Sequence, residues 1–326
     1  MILILHSQED LRLAHAETQA LMPKAVSHGL WSTVKRASPT IRRLAYSRMA
    51  LRILWEGRAG SFWKKGPPDF TRAMPKGSFA VRFRSLDGDS GKTGSGKLDA
   101  RKVIERVAAG CRGKKVDLAH PRNTIWCITQ KDRLFIGLQT WKNEERFAGR
   151  RNHLRRARAP VSLHPKLARA MVNLTGVRTS GMILDPLCGT GGILIEAGLM
   201  GIRVTGQDID RVMVDRTKKN LAGFRIQGKV IQKDVFLSRQ AVSYVVTDPP
   251  YGKNTSIRGD AAVFYARIIR KLAAITRKRI VVSFPRTYDP RPTARTCNLK
   301  LVGVFDHVLH RSLTKVIYVF EKDSRR

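Results

Sequence analysis

Two short stretches hold residues whose types and spacing could do chemistry. Asp185-Pro-Leu-Cys-Gly-Thr-Gly-Gly192 is a glycine-rich turn with an apolar run, Gly181-Met-Ile-Leu184, before it and Ile193-Leu-Ile-Glu-Ala-Gly-Leu-Met200 after it. Strand, tight loop and helix in that order suit a mononucleotide-binding turn at the edge of an α/β sheet. Asp248-Pro-Pro-Tyr251 follows a second apolar run, Ser243-Tyr-Val-Val-Thr247. An exocyclic amine on a base is a poor nucleophile because its lone pair is delocalised into the ring. The Asp248 carboxylate and the Pro249 carbonyl can each accept one amine proton and favour a tetrahedral nitrogen. Pro249 and Pro250 stiffen the turn, so that the carbonyl is held outward. Tyr251 offers a face for a base to stack on, a contact worth about 1–3 kcal/mol.

Three carboxylates extend the first motif. Asp185 at its strand end can pair with an ammonium group. Asp208, in Val204-Thr-Gly-Gln-Asp-Ile-Asp210, falls about 20 residues beyond the glycine loop, where an acid accepts both hydroxyls of a ribose. It is preferred to Asp210 because it comes first at the strand end. Asp234 follows the next strand and is placed to accept from an adenine amine. With Cys188, Gly189, Thr190, Gly191 and Gly192 of the loop, and Ile209 and Val235 beside the acids, these form the expected cofactor set. A glycine loop paired with Asp-Pro-Pro-Tyr implies S-adenosylmethionine as cofactor and a planar amine as acceptor. The missing dinucleotide fingerprint argues against a nicotinamide cofactor.

The elements that must position these residues are legible as a domain over 160–326, with strands expected at Met182–Leu184, Arg203–Thr205, Lys229–Gln232, Tyr244–Thr247, Arg279–Ser283, Leu299–Val304 and Ile317–Phe320. Strands alternating with helices predict a Rossmann-like, doubly wound α/β domain with a seven-stranded sheet. Ahead of it, the expected divisions are 1–70, 71–142 and a basic linker over 143–159. Met1-Ile-Leu-Ile-Leu5 reads as a buried first strand, too short for a signal peptide or a membrane span. Helical spacing predicts helices over Leu11–Leu21 and Ile41–Arg52. Phe79–Phe83 alternates as a strand, Lys97–Ala109 reads as a helix, and Asn123–Thr129 and Arg133–Leu138 read as strands joined by a Gln130–Asp132 turn. Within Asp87–Lys97, Gly91, Gly96 and Lys97 have phosphate-loop spacing, but Leu98 stands where a magnesium-ligating Ser or Thr belongs. That loop is expected to contact RNA or solvent. A fragment starting near residue 158 is expected to bind cofactor unaided.

Charge bounds the partner. Lys and Arg number 62 against 25 Asp and Glu in 326 residues, a formal net charge of +37. A compact chain so charged repels itself unless a polyanion neutralises it, and nucleic acid does so with release of condensed counterions. Thr18–Leu86 contains 14 Lys or Arg against Glu56 and Asp69. Arg146, Arg150, Arg151, Arg155, Arg156 and Arg158 are the expected phosphate contacts near the catalytic half. Cys111, Cys127, Cys188 and Cys297 lack pair or zinc spacing, so no metal site is expected, and reduced thiols place the chain in the cytoplasm.

The carboxy-terminal half resembles the archaeal tRNA (guanine(10)-N2)-methyltransferases, relatives of the eukaryotic catalytic subunit acting at the same position. The likeness rests on Arg158–Leu174, Asp185–Gly201, Thr247-Asp-Pro-Pro-Tyr-Gly-Lys-Asn-Thr-Ser-Ile-Arg-Gly259 and His310-Arg-Ser-Leu-Thr-Lys315. Leu187, Lys253 and Lys315 depart from it, standing where Phe, Arg and Arg are expected. The resemblance implies a class I methyltransferase domain, methyl transfer from S-adenosylmethionine to N2 of guanosine 10, and tRNA as the partner. It implies that His164-Pro165 closes over the methionine moiety; by spacing alone that pair is a helix start. It further implies a ferredoxin-like first domain and a THUMP RNA-binding domain, on Val116-Asp-Leu-Ala-His-Pro-Arg122 and Phe135-Ile-Gly-Leu138. No membrane association follows, and the sequence requires no activating subunit. Two other readings compete: an adenine-N6 methyltransferase on DNA or another RNA, since Asp-Pro-Pro-Tyr suits either amine, and an inactive RNA-binding member of the fold. A DNA enzyme would carry a target-recognition domain, which the sequence does not show. The complete set of carboxylates argues against inactivity.

Overall fold

The computed structural model describes residues 1–64, 69–87, 98–158, 163–251, 260–310 and 313–323. The loop expected at 87–97 lies outside them except for Asp87, as does the Gly252–Gly259 tail of the second motif. The chain forms two compact units. The first comprises Met1–Leu11, Lys24–Arg42 and Ser47–Asn143; the second comprises Arg12–Pro23, Arg43–Tyr46 and Glu144–Arg326.

In the first unit the strands are β1 (Ile2–His6), β2 (Val26–His28), β3 (Trp31–Val34), β4 (Ser47–Arg58), β5 (Phe79–Ser85), β6 (Asn123–Gln130) and β7 (Arg133–Lys142). They form one sheet in the order β2-β3-β1-β4-β7-β6-β5, so strands from both expected amino-terminal domains lie side by side. Alternation along β7 sends Leu134, Ile136 and Leu138 to one core, with Val103 and Val107 of a helix at Ala100–Ala109, and Phe135 to the other, with Leu3, Met49 and Leu51. Asp99 caps that helix by accepting from the Arg101 and Lys102 amides, satisfying two of its first donors. The helix expected over Ile41–Arg52 is a correction: a short 3-10 turn at Pro39–Arg43 leads into β4. β4 is central, paired on one side with β1 (Leu3↔Leu51, Leu5↔Met49) and on the other with β7. Pairing with strands distant in sequence overrides the local helical spacing of its arginines.

The second unit contains α1 (Leu11–Leu21, from Arg12 onward), α2 (Pro165–Leu174), α3 (Gly192–Leu199), α4 (Arg211–Gly223), α5 (Ala261–Ile275) and α6 (Arg291–Thr296). Its strands are β8 (Met182–Asp185), β9 (Arg203–Asp208), β10 (Gly228–Gln232), β11 (Val242–Thr247), β12 (Thr276–Pro285), β13 (Leu299–His310) and β14 (Leu313–Lys322). All seven expected strands are present, each longer than its sequence signal, and β9, β12, β13 and β14 at least twice as long. Their order is β10-β9-β8-β11-β12-β14-β13, with β14 antiparallel to both neighbours. Both faces are covered, which explains the near-continuous apolar strands. Ile183, Val204, Val246 and Val281 join one core with residues of α2, α3 and α4; Leu184, Val245, Ile280 and Val282 join the other with residues of α5 and α6. From β8 the chain proceeds outward to β9 and later returns to β11 on the other side. That topological switch point opens a crevice beyond the strand ends, where α/β sheets bind ligands.

This unit is larger than the 160–326 segment. Leu13, Ala14, Ala45, Tyr46 and Phe147 are part of the α2–α3 core. The buried Glu17 carboxylate accepts from the Ala45 and Tyr46 amides at 2.7 and 3.0 Å and from Asn173 Nδ2 at 2.6 Å. Arg43 donates to Asn173 Oδ1 and the Val177 carbonyl. A fragment from residue 158, expected from the sequence to bind cofactor unaided, would therefore lack part of this core.

Candidate active site

The strand registers bring the predicted carboxylates to one edge. Asp185 pairs across from Gly206, Gln232 from Asp208, and Thr247, just before Asp248, from Val282. Asp185 is buried, and its Oδ1 accepts from Thr247 Oγ1 at 2.8 Å and the Leu187 amide at 3.2 Å. The first bond ties β8 to β11 across the switch point. No described residue donates to Oδ2. Burial, with the nearby Asp248 and Asp208 charges, pushes the Asp185 carboxyl up to about 7. A buried acid in that state is a site for a cation.

The glycine loop takes its shape from backbone that other residues resist. Gly189 and Gly191 have φ of 51° and 81°. A Cβ at Gly191 would meet Thr217 Cγ2 at 2.9 Å, whereas Gly189 faces open space. The Gly189 amide donates to Asp208 Oδ2 at 2.8 Å, and Thr217 Oγ1 donates to the Gly189 carbonyl at 2.6 Å. Asn220 Nδ2 donates to the Thr190 carbonyl at 2.9 Å, and Gly192 begins α3. Cys188 is buried beneath the loop and burial raises its thiol, so its side chain is packing and its backbone is what shapes the turn.

Asp208 keeps lone pairs on both oxygens beyond its bonds from Gly189 and the Asp210 amide, the latter 3.0 Å. Burial raises its carboxyl as well. Asp210 caps α4 through the Val212 amide at 2.7 Å, which favours Asp208 for a diol. Ile209 is 63% exposed at the same edge, whereas Val235 is buried. Asp234 accepts from the Phe236 amide at 2.9 Å. His164 is the N-cap of α2, accepting from the Lys166 amide, with Pro165 in the first turn as the spacing predicts. An ammonium partner, a diol acceptor and an apolar surface beside open glycine backbone fit S-adenosylmethionine.

At the second motif the structure adds two residues that sequence reasoning did not assign to the site. Lys315, on β14 opposite Pro285, is 1% exposed and donates to Asp248 Oδ1 and Oδ2 at 2.7 and 2.5 Å. Ser283 Oγ donates to Asp248 Oδ1. The Lys315 ammonium also lies 4.1 Å from the Tyr251 ring centroid. The phenol of Tyr251 is raised by burial, against the pull of Lys315. Tyr265 Oη donates to the Pro250 carbonyl at 3.1 Å, and no described residue donates to the Pro249 carbonyl. Lys315 was visible in sequence only as a departure from the family pattern; Ser283 carried no signal.

The arginine run divides. Arg150 pairs with Glu196 at 2.7 Å and Glu145 at 2.9 Å, and Arg169 pairs with the same two acids at 3.0 and 2.7 Å. Both guanidinium groups face the Phe147 ring, at 5.1 and 5.2 Å. Arg155 is buried and donates to the Arg150 carbonyl at 2.9 Å. Arg150 and Arg155 thus hold the unit together, and the reading of those two as phosphate contacts is corrected. Arg146, Arg151, Arg156 and Arg158 are exposed. Among the described residues no group of His, Cys, Asp and Glu could hold a metal, and no helix is long and apolar enough to cross a membrane.

A seven-stranded sheet with one reversed strand, a glycine loop at its switch point and the Asp248-Pro-Pro-Tyr251 turn beside it define a class I methyltransferase. Residues 152–310 match the family model described as RMKL-like, methyltransferase domain. A tRNA (guanine(10)-N2)-dimethyltransferase of Pyrococcus abyssi is 34% identical over 261 residues, covering 76% of this chain and 74% of that protein. One of Methanothermobacter thermautotrophicus is 38% identical over 255 residues, covering 75% and 73%. The chain belongs to the tRNA (guanine(10)-N2)-methyltransferase family. The crystal structure of TrmN from Thermus thermophilus shares the fold, with a TM-score of 0.52 at 18% identity over 98% of this chain and 99% of that one.

Proposed function

We propose that this protein transfers a methyl group from S-adenosylmethionine to the exocyclic N2 of guanosine 10 in tRNA. The observation that carries the reading is the Asp248-Pro-Pro-Tyr251 turn at the end of β11, beside the Asp185–Thr247 bond that joins it to the glycine loop. When bound, the cofactor supplies a methyl group activated by a sulfonium. Asp185 holds its ammonium, Asp208 its ribose, and Asp234 with Ile209 its adenine. Asp248 and the Pro249 carbonyl each accept one proton of the target amine. These bonds direct the nitrogen lone pair at the methyl carbon. Tyr251 supports the plane of the base. Because the contacts strengthen as the nitrogen becomes tetrahedral, they lower the barrier more than they tighten binding. Transfer would break the sulfur–methyl bond, leaving its electron pair on sulfur as a neutral thioether, and the methylated nitrogen then loses a proton to water.

The first unit, with the exposed arginines of 146–158, is the natural RNA-holding part, the role that a THUMP domain implied by the family resemblance would fill. A tRNA-modifying enzyme works in the cytoplasm, where its substrate is, and a small activating subunit, which the sequence does not require, is compatible with this chemistry. Incubation of the full chain with tRNA transcript and labelled cofactor, followed by nucleoside mass spectrometry, tests the proposal. N2-methylguanosine, with or without N2,N2-dimethylguanosine, is expected. N6-methyladenosine would move the assignment to adenine, and no transfer would favour an inactive RNA binder.

A further inference from the structure

Lys315 is among the largest fully buried side chains of the second unit, at 1% exposure. Removing a lysine from water is costly, and an apolar side chain of similar volume in its place would often give equal or greater stability. Its position explains why a charge is buried there. An ammonium has three protons. Two go to Asp248 Oδ1 and Oδ2, and the ammonium lies over the ring of Tyr251 at 4.1 Å.

We propose that Lys315 is the positioning residue of the target-base cage, fixing the Asp248 carboxylate and the Tyr251 ring with a single side chain. The inference rests on the methyltransferase reading above. Oδ1 of Asp248 accepts from both Ser283 and Lys315 and so has no lone pair left for a substrate. Oδ2 accepts from Lys315 and keeps one. Among the described residues, then, Asp248 offers the target amine one acceptor, through Oδ2, and the second amine proton falls to the Pro249 carbonyl. Lys315 also occupies one face of Tyr251, so the base stacks on the opposite face, in line with a ring already held from behind. β14 is the reversed strand, and its register with β12 brings Lys315 to the edge where β8, β9 and β11 end. A residue from the last strand of the sheet thus completes a site otherwise built from the earlier ones.

The test begins with wild-type enzyme, whose methylation of guanosine 10 must be seen before any variant is read; its absence would refute the function rather than the role of Lys315. With that activity in hand, Lys315→Met should lower kcat about 100-fold, the cost of misplacing a reacting group by about 1 Å. KM for tRNA and the cofactor Kd should stay within about threefold, and Lys315→Arg should recover at least about a tenth of wild-type kcat. Asp248→Asn and Asp248→Asn/Lys315→Met, compared in single-turnover transfer, should differ by less than about tenfold, well short of the loss in Lys315→Met alone, because Lys315 acts chiefly through Asp248 and only its contact with Tyr251 remains to be lost. The double variant leaves no lone buried charge, and in Asp248→Asn the Lys315 ammonium should keep the Asn oxygen and the Tyr251 ring as partners, so this comparison carries the test if Lys315→Met does not fold. Wild-type kcat in Lys315→Met, no recovery with Arg, or a further loss of about 100-fold on adding Lys315→Met to Asp248→Asn would overturn the proposal.

Discussion

Cofactor affinity should rise steeply with pH up to about 7 because of Asp185. Burial, reinforced by Asp248 and Asp208, pushes this carboxyl to about 7 in the protein alone. The sign follows from linkage. A raised acid stabilises the fold in its protonated form, and that contribution is full below the ordinary carboxylate value and lost as pH rises through about 7. The cofactor ammonium reverses the preference, since it needs the carboxylate. Below about pH 7, binding must expel a proton; above it, affinity should plateau. At pH 5, two units below, about one molecule in a hundred carries the charge, so affinity should be about 100-fold weaker, or about 2.7 kcal/mol. Asp208, raised in the same direction by burial, should steepen the dependence. Titration calorimetry from pH 5 to 8, in two buffers of different ionisation enthalpy, measures both the affinity and the proton released. Asp185→Asn should bind weakly with a flatter profile. A flat profile in the wild type, or an equal slope in Asp185→Asn, would refute the assignment.

Asp248→Asn should lose about 100- to 1000-fold in kcat, as when a positioned hydrogen-bonding group is removed, while calorimetry shows unchanged cofactor affinity. Replacing Arg146, Arg151, Arg156 and Arg158 by alanine should flatten the logarithmic salt slope of tRNA binding by up to about 0.9 per lost duplex contact, as filter binding will read. Arg150→Ala should instead leave that slope unchanged and cost about 3–5 kcal/mol in denaturant unfolding, because Glu145 and Glu196 lose a partner in a buried cluster. A fragment beginning at residue 158 lacks Leu13, Ala14, Ala45, Tyr46 and Phe147 of its core, so circular dichroism should find it unfolded or aggregated; a stable, cofactor-binding fragment would contradict the packing argument.

The methyltransferase sheet was legible because its strands are short, apolar and separated by helices of clear period, and because the site sits where three of those strands end. Local spacing could not reveal what depends on distant pairing. Arginines at helical intervals across Ile41–Arg52 hid a central strand whose partners, β1 and β7, lie far away in sequence. Among Arg146–Arg158, the neighbours Arg150 and Arg151 look alike in sequence. In the structure Arg150 faces Glu145 and Glu196, while Arg151 faces solvent and His164. Glu17 gave no signal that α1 would be recruited into the second unit. Lys315 stands out in the sequence only as a departure from the family pattern, and it is the register of β14 with β12 that places it on Asp248.

Transfer to N2 of guanosine 10 stands or falls with that one amine, which can be removed. A tRNA assembled with inosine at position 10, which keeps every other atom of the purine, should bind with near-normal affinity and accept no methyl group, while the guanosine-10 tRNA is methylated at that position. Equal methylation of the two tRNAs would rule out N2 of guanosine 10 as the acceptor.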